Sequence, residues 1–339
     1  MDDAGQVTAP RAVAAKSLQT PTTVSPQLQR SISMLAAQAS SGQSVFPAGW
    51  VPPDAAAWKA MIAQLDAGTL ASRAPMAAMF PHTETVQAIA GVTVREIVPK
   101  TLDPAKAGKL LLHFHGGGYA LNGAEASTGE AVLLAHYSGM RAISVDYRMP
   151  PDHPFPAGLE DAVAVYRALS AERPTSAIGV FGTSAGGGMT LALALKLKQL
   201  GLPLPGALAV GTPWTDLTGA SDSYQVNAGV DGIFTSYDGL GRALAALYAG
   251  AAPLTDPLIS PVNGDFSGFP PVILTTGTRD ILLSDTVRAH RALRAAGVTA
   301  QLEVFEAMSH AEYIFAFDSP ESAVAFRDWA AFMDAHLKA

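Results

Sequence analysis

A doubly wound α/β fold, with a mostly parallel sheet covered by helices on both faces, is what the sequence predicts, and three observations predict it. Short apolar runs alternate with longer helix-patterned segments from Lys109 to the C-terminus. An antiparallel hairpin pattern comes before them. A glycine-flanked serine stands where one apolar run turns abruptly into a helix pattern. The chain has 339 residues, 49% of them hydrophobic and 15% charged, which is enough apolar material for one large domain with an accessory cap.

The division expected is an N-terminal arm over 1–44, a first cap piece over 45–82, core over 83–213, a cap insertion over 214–253 and core again over 254–339. The arm is rich in Ala, Ser, Thr, Gln and Pro, and Gln27 to Ala39 can form a helix. In the first cap piece Asp54 caps a helix that carries Trp58, Met61, Ile62 and Leu65 on one face, and Gly68 is its expected stop. Thr83 to Ala90 and Val92 to Val98 alternate around Gly91 and predict the hairpin. Strands are expected at Lys109–His115, Ala142–Tyr147, Ala177–Phe181, Ala207–Val210, Val272–Thr276 and Gln301–Phe305. Between and after them, helices are expected at Ala126–Tyr137, Gly158–Ala171, Met189–Leu200, Asp285–Ala296 and Glu321–Leu337. Between Trp214 and Pro253 the strand–helix rhythm breaks, with a polar stretch from Asp222 to Thr235 and a helix pattern from Tyr237 to Tyr248. An insertion behind a strand end is where a lid over a site would be built.

Composition excludes several chemistries. A formal net charge of -7 without a Lys/Arg cluster argues against nucleic acid as a partner. The chain has no cysteine, so disulfides, thiolate metal sites and thiol nucleophiles are excluded. No His/Asp/Glu cluster shows metal-ligand spacing, and neither a metal nor any other cofactor is expected. Without an apolar h-region or a run of about eighteen apolar residues, no membrane partner is expected, and a soluble cytoplasmic protein is the default expectation.

The serine is Ser184, in Gly182-Thr183-Ser184-Ala185-Gly186, a G-x-S-x-G pattern. A sharp strand-to-helix turn needs flanking residues without bulk, and it lifts the hydroxyl clear of the sheet. Upstream, His115-Gly116-Gly117-Gly118 leaves the first buried strand. Consecutive glycines cost backbone entropy, but they suit a loop whose amides approach a ligand closely. With the Ala185 amide they would hold the oxyanion of an acyl-transfer intermediate. A serine needs a base, and the base an orienting carboxylate. Of eight histidines, His310 follows directly on a strand end, where such folds put their chemistry. Asp280 has the same placement after the preceding strand, giving the chain order Ser184, Asp280, His310. Asp285 is a rival carboxylate placed to cap the next helix, and Asp256 lies in a loop well before the strand.

Five ordered motifs now carry a family resemblance: His115 to Gly118, Asp146 to Ala157, Gly182 to Gly187, Asp256 to Pro261 and Gly277 to Leu282. Together they resemble the hormone-sensitive-lipase family of α/β-hydrolases, the bacterial type IV esterases, from about Gly91 onward. The resemblance implies carboxylic ester hydrolysis with Ser184 as nucleophile, His310 as base, Asp280 as orienter, and Gly117, Gly118 and Ala185 as oxyanion donors. It also implies a cap built from an N-terminal helical segment and a late insertion, and it allows a homodimer. Thr183 stands where the family often has Asp, which places the chain with the GTSAG-type branch, and Asp152 stands where Glu is frequent.

The expected substrate is a compact, uncharged, short-acyl ester or lactone. Wall residues expected for its pocket are Trp50, Phe80, Tyr119, Trp214 and Tyr224, with Trp58, Met61, Met76 and Met79 as further candidates. Amidase and thioesterase chemistry would use the same machinery. A small-ligand receptor on this scaffold, similar to the plant gibberellin receptors, would lack the base.

Overall fold

The computed structural model describes residues 14–15, 17–40 and 49–339, the side chains of 39 and 40 excepted. Eight strands form one sheet in the order β1-β2-β4-β3-β5-β6-β7-β8. They are β1 (His82–Ile89), β2 (Val92–Pro99), β3 (Leu110–Phe114), β4 (Arg141–Val145), β5 (Ile178–Thr183), β6 (Ala207–Gly211), β7 (Val272–Gly277) and β8 (Ala300–Phe305). β1 and β2 pair antiparallel, β2 joins β4 antiparallel, and every later pairing is parallel.

The central strands β3, β5, β6 and β7 are buried along their whole length, which is why they read as unbroken apolar runs. Their side chains still alternate between faces. Leu110, Leu112, Val180, Leu208, Val210 and Leu274 enter one core cluster, while Leu111, Phe181, Ala207, Ala209 and Ile273 enter the other. Helices α5 (Ala157–Glu172), α6 (Ala185–Gln199) and α9 (Leu283–Ala295) supply the first cluster. Helices α4 (Gly129–Ser138) and α11 (Pro320–His336) supply the second.

At the N-terminal end, α1 (Pro26–Ser40) buries Leu28 and Ile32 in the second cluster and is tied to the N-terminus of α11, where Glu321 accepts from Ser25 N–H and Oγ at 2.7 and 2.6 Å. Helix α2 (Ala55–Ala71) starts at its expected cap, with the Asp54 carboxylate accepting from Ala57 N–H, a contact worth about 1 kcal/mol. It does not stop at Gly68. That glycine faces open space, so the helix runs through it to Ala71 at a cost of roughly 1 kcal/mol. A further helix, α3 (Arg73–Met79), follows at once where none was expected.

The insertion holds two short helices, α7 (Ser223–Val226) and α8 (Arg242–Ala249), the second preceded by a π turn over Tyr237–Gly241 with a kink at Gly239. Its start is anchored by Asp285. The expectation that Asp285 caps a helix is corrected here: it lies inside the first turn of α9, buried, and accepts from Thr215 N–H, Asp216 N–H and Ser221 Oγ. Burial pushes this carboxyl up to about 7, against the pull of those donors. Among the described residues no helix is long and apolar enough to cross a membrane.

Candidate active site

Ser184 sits between β5 and α6 with φ 61° and ψ -123°, a conformation that costs a non-glycine residue about 1–3 kcal/mol. The surroundings hold it there. Its N–H donates to Gly211 O at 2.9 Å, and its carbonyl accepts from Trp214 N–H at 2.9 Å and Gly188 N–H at 3.0 Å. The flanking glycines are required by space as well: a Cβ at Gly182 would lie 2.3 Å, and one at Gly186 1.9 Å, from the Phe114 carbonyl oxygen.

The three side chains expected to act together meet. His310 Nε2 lies 2.8 Å from Ser184 Oγ, and His310 Nδ1 lies 3.1 Å from Asp280 Oδ1. This network assigns the proton to Nδ1, leaving Nε2 to accept from the serine hydroxyl. Asp280 is fully buried and held in turn, accepting from Thr276 Oγ1 at 2.6 Å and Leu282 N–H at 2.8 Å. His310 is 6% exposed, and burial alone would lower its pKa. The hydrogen bond and charge of Asp280, joined by the charges of Asp231 and Asp285, outweigh burial and raise it.

The glycine loop lies against the elbow. A Cβ on Gly116 would sit 2.8 Å from Thr183 O and 3.4 Å from Ser184 Cβ. Gly117 and Gly118 take φ 107° and 58°, and the Gly117 carbonyl accepts from Leu121 N–H at 2.8 Å, which folds the loop back on itself. Among the described residues the amides of Gly117, Gly118 and Ala185 donate to no protein acceptor. His115 is unsuited to be the base: burial drives it down to about 3, and its ring stacks on Tyr147 at 4.3 Å.

Ser184 and His310 open into a cavity of about 230 Å³ whose wall includes Met76, Trp214, Phe234, Leu240, Leu244 and Phe317. Of the five expected wall residues, Trp214 lines it and the other four do not. Tyr119 is buried behind it, stacked 3.8 Å from Tyr248. Phe80 packs on His136, Tyr137 and Phe317, one layer out. Trp50 packs edge-on against Trp58. The Tyr224 hydroxyl, 2.9 Å from the Asp216 carbonyl and 3.1 Å from Asp285 Oδ2, serves the insertion's anchor. In each case a large ring found a better-packed neighbour than the open cavity. Met76, among the further candidates, does line it.

Two polar features escaped the sequence reading. Beneath the elbow, Thr183 Oγ1 donates to Glu130 Oε1 at 2.6 Å, and Glu130 Oε2 meets His113 Nε2 at 3.0 Å. Behind His310, Asp231 of the insertion accepts from the His310 N–H at 3.0 Å. Neither shows a motif; the only trace of Asp231 is an Asp-Gly pair in a polar stretch.

A family model described as the alpha/beta hydrolase fold matches residues 111–314, well over half of the chain. The chain belongs to the alpha/beta hydrolase family. Among curated relatives of this hydrolase, an acetyl-hydrolase of Streptomyces hygroscopicus is 32% identical over 71% of the chain and 81% of its own length. An esterase of Acinetobacter venetianus is 31% identical over 75% and 84%. Among solved structures, an esterase called E25 superposes with a TM-score of 0.90 at 37% identity, covering 97% of this chain and 99% of that one. A hormone-sensitive lipase from a metagenome library gives 0.79 at 29% identity, covering 93% and 100%. This hydrolase is a carboxylesterase of the hormone-sensitive-lipase type.

Proposed function

We propose that the protein hydrolyses compact, uncharged, short-acyl esters or lactones through an acyl-enzyme on Ser184, with His310 as base and Asp280 as its orienter. The observation that carries this reading is the 2.8 Å approach of His310 Nε2 to Ser184 Oγ in the wall of a largely apolar cavity. His310 takes the hydroxyl proton as Ser184 attacks the ester carbonyl. The amides of Gly117, Gly118 and Ala185 hold the resulting oxyanion. The alcohol departs with the proton that His310 returns, and water activated by the same imidazole then releases the acid. Residues 45–82 and 214–253 act as the two pieces of the cap: Met76 comes from the first, and Trp214, Phe234 and Leu244 from the second.

A volume of about 230 Å³ falls below the range of roughly 300–1,000 Å³ usual for drug-sized ligands, which supports a small substrate. In a panel of esters from acetyl to palmitoyl, with lactones and amides alongside, kcat/KM peaks at the short acyl chains. It falls roughly tenfold or more once the chain outgrows the cavity. Faster turnover of palmitoyl esters would overturn the short-acyl reading.

The pH dependence follows from the direction of the His310 shift. Only neutral imidazole accepts the serine proton, and the folded protein holds this imidazole above its ordinary value of 6.5. Activity is therefore complete above the raised pKa and lost as pH falls through it. A profile of kcat/KM against pH has its acid limb above about 6.5; a limb well below that value contradicts the electrostatics described here.

A further inference from the structure

Asp231 does no chemistry in the mechanism above, yet it is 1% exposed and its carboxylate collects four backbone N–H donors from three parts of the chain. Oδ1 accepts from Ile233 at 2.8 Å and Phe234 at 3.0 Å, two residues of the cavity wall. Oδ2 accepts from Ile281, next to Asp280, at 2.8 Å, and from His310 itself at 3.0 Å. The same turn of the insertion makes two more ties. Asn227 Nδ2 donates to the Asp280 carbonyl at 2.8 Å, and Gly232 N–H donates to Ser309 Oγ at 3.1 Å. The Phe234 ring stands edge-on to the His310 ring, with centroids 5.6 Å apart. One short segment thus grips the peptide between Asp280 and Ile281, the His310 N–H and the Ser309 side chain.

We propose that Asp231, supported by Asn227, is a positioning residue for the hydrolytic reaction: its carboxylate fixes the His310 and Asp280 loops to the cavity wall and places a second negative charge behind the imidazole. A second buried carboxylate beside Asp280 is a costly choice for a structural pin, because two like charges repel and both are desolvated. Four N–H donors offset that cost, and the charge then favours the imidazolium that forms as Ser184 attacks. The ionisable groups that face His310 are Asp280, Asp231 and Asp285, and all three raise its pKa. Glu312 lies just beyond and accepts from the Ser309 N–H at 2.8 Å. Burial and repulsion from Asp280 push the Asp231 carboxyl up to about 7, while His310 and the amides of Ile281 and Ile233 pull it back.

This inference rests on His310 being the base, so the test includes Ser184→Ala in the same assay. Asp231→Asn keeps the volume but turns amide hydrogens toward N–H donors and removes the charge. It should lower kcat roughly 10- to 100-fold, the loss typical of a misplacement near 1 Å, with KM changed less than about threefold. It should also move the acid limb of the pH profile to lower pH. Asn227→Ala cuts the ties to the Asp280 and Thr278 carbonyls and leaves the Asp231 charge in place; it should lower kcat about tenfold with the acid limb unmoved, and it serves if Asp231→Asn does not fold. Wild-type kcat in either folded variant overturns the proposal. So does a loss in Asp231→Asn with an unmoved acid limb, because a merely structural pin would do that. If Ser184→Ala itself stays active, the failure lies in the underlying reading instead.

Discussion

Replacing Ser184 by alanine leaves a folded protein whose kcat is lower by about 10⁴-fold or more, because nucleophile and base act as a unit and neither works alone. The substitution removes one oxygen from a residue that is 9% exposed, and the elbow is held through its backbone, so the fold has little reason to respond. His310 loses its 2.8 Å partner but keeps Asp280. Substrate binding relies on the apolar cavity, and KM should move far less than kcat. Steady-state kinetics beside a thermal melt check this. A folded Ser184→Ala protein with wild-type turnover is incompatible with the mechanism.

The second large effect is expected at Gly117. With φ 107° the residue occupies backbone space closed to a β-branched side chain, and a Cβ there would meet the Leu121 carbonyl oxygen at 2.5 Å. Gly117→Val must therefore shift the loop that carries two of the three amides proposed to hold the oxyanion. Losing one such donor typically costs roughly 10²- to 10³-fold in kcat, and the variant should lose at least that much. The core strands lie outside this loop, so circular dichroism should remain native. Normal turnover in a folded Gly117→Val protein would remove this loop from the mechanism.

Much of this was legible in the sequence because the relevant parts are governed by local rules. Buried parallel strands give unbroken apolar runs, and the chain order Ser184, Asp280, His310 follows from chemistry placed at strand ends. Glycines 116 to 118 were legible because close backbone approach tolerates no side chain. What could not be read depends on tertiary choice. Helix α3 carries Pro75 inside it, a residue that reads as a break, yet it sits in the first turn, where its missing N–H costs nothing. The wall residues were sought mainly among large aromatics, but Tyr119 stacked on Tyr248 and Phe80 packed edge-on against His136 and Phe317. The wall drew instead on Leu240 and Leu244, inside the expected helix pattern of the insertion, and on Phe317 in a turn, where no spacing rule separates a cavity-facing side chain from a core one. Asp231 was invisible because two of its four partners lie 50 and 79 positions away, a relation that no spacing rule encodes.

The central claim is that Ser184 is the atom donor to the acyl-enzyme and His310 its activator. Its most direct test is treatment of the wild-type protein with a fluorophosphonate, followed by peptide mass spectrometry, with His310→Ala treated in parallel. The account predicts a single adduct, on Ser184, that forms quickly in wild type and far more slowly without the imidazole. An adduct on another residue, no adduct at all, or equal rates in the two proteins would contradict it.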